Sequence, residues 1–115
     1  MPSKNLLIIT NPGEACVYEY PQRGSLGEIA HIDIQVPQDS ILDSIEVAFV
    51  NLDHPQAISI IQELRDYARE CGGLRRVIGY SNSSHLKIRE LIELADSVEN
   101  AGAEFLLFSP YSEVR

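Results

Sequence analysis

Basic side chains are scarce: nine Lys and Arg stand against seventeen Asp and Glu, giving a formal charge of −8 over 115 residues. Such a chain repels a phosphate backbone, so nucleic acid is not an expected partner; acidity of this size also serves simply to keep a domain soluble. Cysteine is limited to Cys16 and Cys71, far apart and in no metal-like spacing. With no targeting signal in Met1-Pro2-Ser3, both read as reduced thiols of a cytoplasmic protein. His31, His54 and His85 are scattered without a His-x-x-His pair, so neither a metal nor a cofactor is expected. The apolar runs are too short to span a bilayer, and no membrane association is expected. A Ser-His-Asp set, a carboxylate pair and a glycine-rich phosphate loop are all lacking. Gly72-Gly73 lies at a helix end before a strand, the wrong order for a phosphate loop. These shortages favour a binding domain over an enzyme.

What is present is ordinary for a globular protein: 44% hydrophobic and 23% charged residues. The length suits a single domain over 1–115, with a core that needs no staples. Leu6-Leu7-Ile8-Ile9, ended by Thr10-Asn11-Pro12-Gly13, reads as a strand buried on both faces. His31 to Val36 alternates through Ile32 and Ile34 and reads as a second strand closed by Pro37. Asp39 to Ser44 reads as a short helix capped by Asp39, and Glu46 to Val50 as a third strand. Ala57, Ile58, Ile61, Leu64, Ala68 and Cys71 then recur at helical spacing, predicting a helix over 55–71. Val77 to Tyr80 gives a fourth strand. Ile88, Leu91, Ile92, Ala95 and Val98 predict one face of a helix over 85–101, stopped by Gly102. Phe105 to Phe108 is the fifth strand. Residues 12–30 leave two readings open. Pro21, Gly24 and Gly27 argue against a continuous helix, while Cys16 to Tyr20 suits a strand that would pair with 28–36 through a hairpin at Gly24-Ser25.

Strand–helix alternation in the second half predicts an α/β fold around a five-stranded, mainly parallel sheet. Ligands of such sheets sit beyond the carboxyl ends of the strands, here marked by Thr10, Asn11, Asn51, Asp53, Ser81, Asn82 and Ser109. The set is mostly neutral and polar.

From Glu46 onward the chain resembles a response-regulator receiver domain. Glu46, the apolar run Val47-Ala48-Phe49-Val50, then Asn51 and Pro55 match the frame around the receiver phosphoacceptor. Leu64-Arg65 resembles the pair on the following helix. Ser81 falls where receivers keep a Ser or Thr, and Gly102-Ala103 and Ser109-Pro110 resemble the last strand's flanks. Thr10-Asn11 stands where receivers carry two acids. The resemblance implies a flavodoxin-like fold, three-layered or incompletely so, with the final helix missing because the sequence given stops soon after Pro110.

The departures carry the functional expectation. Receiver chemistry needs a carboxylate nucleophile, an acidic pair for Mg²⁺ and a charge-neutralising lysine. The matching positions hold Asn51, Thr10 with Asn11, and Ser109, and Leu106 replaces the usual switch aromatic. Thr10, Asn11, Asn51, Ser81 and Ser109 thus make a degenerate phosphorylation pocket. Asp53 reads as a helix-capping residue before Pro55 or, less readily, as a displaced nucleophile. The expected function is a pseudo-receiver that binds a protein partner or a second copy of itself. Two alternatives stand beside it. One is a small-molecule or anion sensor at the strand ends using Asp53, Asn82 and Ser83, where Ser81 to Ser84 precede a helix. The other is a regulatory domain like the sulfate-transporter and anti-sigma-antagonist group, which also has an early hairpin. A missing last helix would leave one sheet face to water, with Leu7, Ile9, Phe105 or Leu106, and Phe108 among the residues exposed, and so would call for a dimer or complex.

Overall fold

The structure, a computed structural model, describes residues 4–11, 28–71, 74–81 and 87–107. The readings made for residues 12–27, Asn82, Ser83, Phe108, Ser109 and a missing last helix lie outside them. Five strands, β1 (Lys4–Ile9), β2 (Glu28–Asp33), β3 (Val47–Asn51), β4 (Arg76–Ser81) and β5 (Glu104–Leu107), form one sheet in the order β2-β1-β3-β4-β5. Every pairing is parallel, so the expected mainly parallel sheet is entirely parallel in these residues. Three helices, α1 (Asp39–Leu42), α2 (Ala57–Cys71) and α3 (Ile88–Asn100), complete an α/β fold with the flavodoxin-like strand order.

Alternation along the strands separates two apolar layers. Leu7, Ile9, Ala48, Val50 and Val77 pack with Leu42 of α1, Ala57, Ile61 and Leu64 of α2, and Val98 of α3. Leu6, Ile8, Val47, Phe49, Ile78 and Tyr80 form a second cluster on the other face, to which none of the three helices contributes. Both layers are buried within the single chain: Leu6, Leu7 and Ile8 are 0% exposed and Ile9 1%. The expectation that Leu7 and Ile9 look into water is therefore corrected, and Leu106 is half-buried against the second cluster.

Two element boundaries differ instructively from the sequence reading. β2 covers Glu28–Asp33, and 34–36 have left the sheet. The Asp33 carboxylate accepts the Ile34 N–H at 2.7 Å, ending the ladder, yet Ile34 and Val36 still pack on the helix-side core from the loop. Their alternation records burial without pairing. In α3 only Val98 is fully buried and Leu94 packs on the core, whereas Ile88 and Ile92 are 76% and 58% exposed. The expected single apolar face is thus split: Leu94 and Val98 meet the core and Leu91 and Ala95 are half-buried, while Ile88 and Ile92 stay exposed. The helix ends as expected at Gly102, whose φ of +95° suits a residue without a Cβ.

Candidate functional site

The strand order reverses between β1 and β3: the chain goes from β1 to β2 on one side and to β3 on the other. In sheets of this kind the ligand crevice lies outside the carboxyl ends of the strands at the switch point, here β1 and β3. Thr10 follows β1 and Asn51 ends β3, and both are buried, 0% and 6% exposed. The Asn51 Nδ2 amide donates to Thr10 Oγ1 at 3.0 Å across the crevice. Asn51 Oδ1 accepts the Asp53 N–H at 2.9 Å, and Thr10 N–H donates to the Asp33 carbonyl at 3.0 Å. Both ends of the amide are therefore engaged, which fixes its orientation. The switch point is spanned by a neutral amide–hydroxyl bond.

Ser81 ends β4 and is fully buried, and its Oγ has no hydrogen-bond partner among the described residues. It does not join the Thr10–Asn51 pair. Thr10 continues the Leu6–Ile8 side and Asn51 the Val47–Phe49 side, whereas Ser81 follows Val77 and Gly79 toward the helices. Asn11 and Asp53 are exposed. β3 stops at Asn51, so alternation does not carry Asp53 into the crevice. Nor is Asp53 the α2 cap, because the helix begins only at Ala57. Of the residues singled out in the sequence, Thr10 and Asn51 are brought together and Ser81 and Asp53 stand apart.

Chemically, the Thr10–Asn51 pair offers an amide and a hydroxyl, and Ser81 a second hydroxyl on the opposite face of the sheet. An amide cannot form an acyl phosphate, and Thr10 with Asn51 supplies no anionic metal ligand. Among the described residues no three His, Cys, Asp or Glu side chains are grouped to hold a metal ion, and no helix is long and apolar enough to cross a membrane.

A second concavity was not singled out in the sequence. A groove of about 480 Å³ runs between residues 34–36, just past β2, and Gln56 with the α2 face carrying Ser59, Ile60 and Glu63. Its sequence signal is the recurrence of those four positions at helical spacing beside the core stripe Ala57, Ile61 and Leu64. Comparison of the chain with known protein families, with curated proteins and with solved structures finds no match.

Proposed function

We propose that this chain is a receiver-like regulatory domain that has lost phosphorylation and acts in the cytoplasm by binding another protein or a second copy of itself, without catalysis of its own. The observation that carries this reading is the buried Asn51–Thr10 hydrogen bond at the switch point of a flavodoxin-like sheet. In the receiver resemblance those positions belong to the phosphoacceptor and to the acids that hold Mg²⁺. Here they bond to each other, a use of the pocket that is structural. Nucleic acid is disfavoured as the partner by the charge of −8.

A small ligand at the strand ends is the second reading, favoured by one observation. The buried Ser81 hydroxyl has no partner among the described residues, and a ligand atom reaching it would satisfy a group that is otherwise costly to bury.

The test of the main reading is affinity capture from the native cell with the intact chain as bait, in parallel with and without acetyl phosphate and Mg²⁺. The same partner should be retained equally in both. Retention that depends on acetyl phosphate, or no retained protein and no self-association, would contradict it.

A further inference from the structure

The groove beside α2 is built from two elements that the core has already fixed. α2 buries Ala57, Ile61 and Leu64 against the sheet, which turns Ser59, Ile60 and Glu63 to its flank. Opposite them the chain leaves β2 at the Asp33–Ile34 bond and runs to Pro37 with Ile34 and Val36 half-buried. The floor is therefore aliphatic, from Ile34, Val36 and Ile60, and the rim is polar and exposed, from Gln35, Gln56, Ser59 and Glu63. A smaller groove of about 280 Å³ shares Gln35 and Val36 and continues past Asp33 to Ile41. Among the described residues no Lys or Arg lines either groove, and Glu63 and Asp33 are the acidic members.

We propose that this groove binds an extended polypeptide segment of the partner in which an aliphatic side chain sits next to a lysine or arginine. The inference rests on the interaction-domain reading above and adds the surface and the chemistry of what it takes. Three features select that occupant. The aliphatic floor has room for side chains but an open, exposed rim, unlike the enclosing pockets that hold small molecules. The primary amides of Gln35 and Gln56 each offer donors and an acceptor, as an extended main chain requires. The carboxylates of Glu63 and Asp33, on a chain of charge −8, attract a cation, and an anionic ligand would meet no lysine or arginine among the described lining residues.

The test is an amide NMR titration of the intact chain with the peptide acetyl-Lys-Leu-Arg-Leu-Lys-amide. The expected result is saturable shifts centred on Ile34, Gln35, Val36, Ser59, Ile60 and Glu63. Glu63→Lys, an exposed change that leaves the thermal midpoint in place, should weaken binding by about tenfold. Ile60→Ala should weaken it as well. Equal binding of the peptide with glutamate in place of lysine and arginine, equal binding of spermidine, shifts centred elsewhere, or no saturable shift would each overturn the proposal. Partner capture separates the two readings. If wild type and Glu63→Lys retain the same partner equally, the groove is refuted while the interaction domain stands; if neither retains one, the interaction domain itself fails.

Discussion

Asn51 uses both ends of its amide, giving a hydrogen to Thr10 and accepting one from the Asp53 backbone, at a position only 6% exposed. Asn51→Ala removes both bonds. It should lower stability by about 1–3 kcal/mol in urea denaturation, the usual cost of stranding buried polar groups. Ser81 is the opposite case, because its Oγ is buried without a partner among the described residues. Ser81→Ala should leave the urea midpoint unchanged or raise it slightly, since it deletes an unsatisfied group. Under the second reading the same variant should also reduce a thermal shift produced by a small ligand in a panel of nucleotides and phosphates. Thr10, Asn51 and Ser81 could be picked from the sequence because each follows an apolar run that is recognisably a strand. Their pairing could not: which of them meet depends on strand order and on the side each takes by alternation. Both are tertiary properties, and they separate Ser81 from the other two.

The end of α3 shows an element whose stop was legible. Gly102 donates to the Glu99 carbonyl at 3.0 Å and Ala103 to that of Val98 at 3.1 Å, the paired bonds of a Schellman motif, and Ala103 and Val98 both pack in the core. Gly102→Ala should cost about 1 kcal/mol, because an L side chain is strained at this φ and the added Cβ would press on Arg65 Cγ at 3.3 Å. β2 was less legible: Ile32, Ile34 and Val36 alternate as a strand does, but the last two are buried from a loop. Strand β5 is tied to β4 by a two-pronged ion pair, Arg76 to Glu104 at 3.0 and 2.8 Å. The hydrogen bond from Arg76 holds the Glu104 carboxyl below its ordinary range, partly offset by burial. A depressed folded-state value means the contribution is present above the unfolded value and is lost as pH falls through the folded one. Both side chains are about half exposed, 49% and 55%, so the pair is worth under about 1 kcal/mol. Glu104→Gln should therefore lower the urea midpoint slightly at pH 7, and the difference from wild type should vanish in acid, once the native carboxylate is protonated.

At the scale of the whole molecule, the sheet has two apolar faces and the single chain buries the centre of both. The water-facing surface that would have required a second copy is therefore not found at Leu6, Leu7, Ile8 or Ile9, and any partner is met elsewhere on the surface. Phe49, 2% exposed on the face without described helices, should behave as a core residue. Phe49→Ala is expected to cost about 3–5 kcal/mol in denaturation, whereas Ile92→Glu at the outward turn of α3 should stay within about 0.5 kcal/mol. The strand–helix alternation made the parallel sheet readable from residue 46 onward. The burial of its second face was not readable, because that depends on how the whole chain wraps the sheet. If the domain has lost phosphorylation as proposed, the switch point takes no phosphoryl group. Intact-mass spectrometry of the chain after incubation with acetyl phosphate and Mg²⁺ tests this directly. An unchanged mass is expected; a hydroxylamine-labile adduct of phosphate mass, mapped to Asp53 or any other carboxylate at the strand ends, would contradict it.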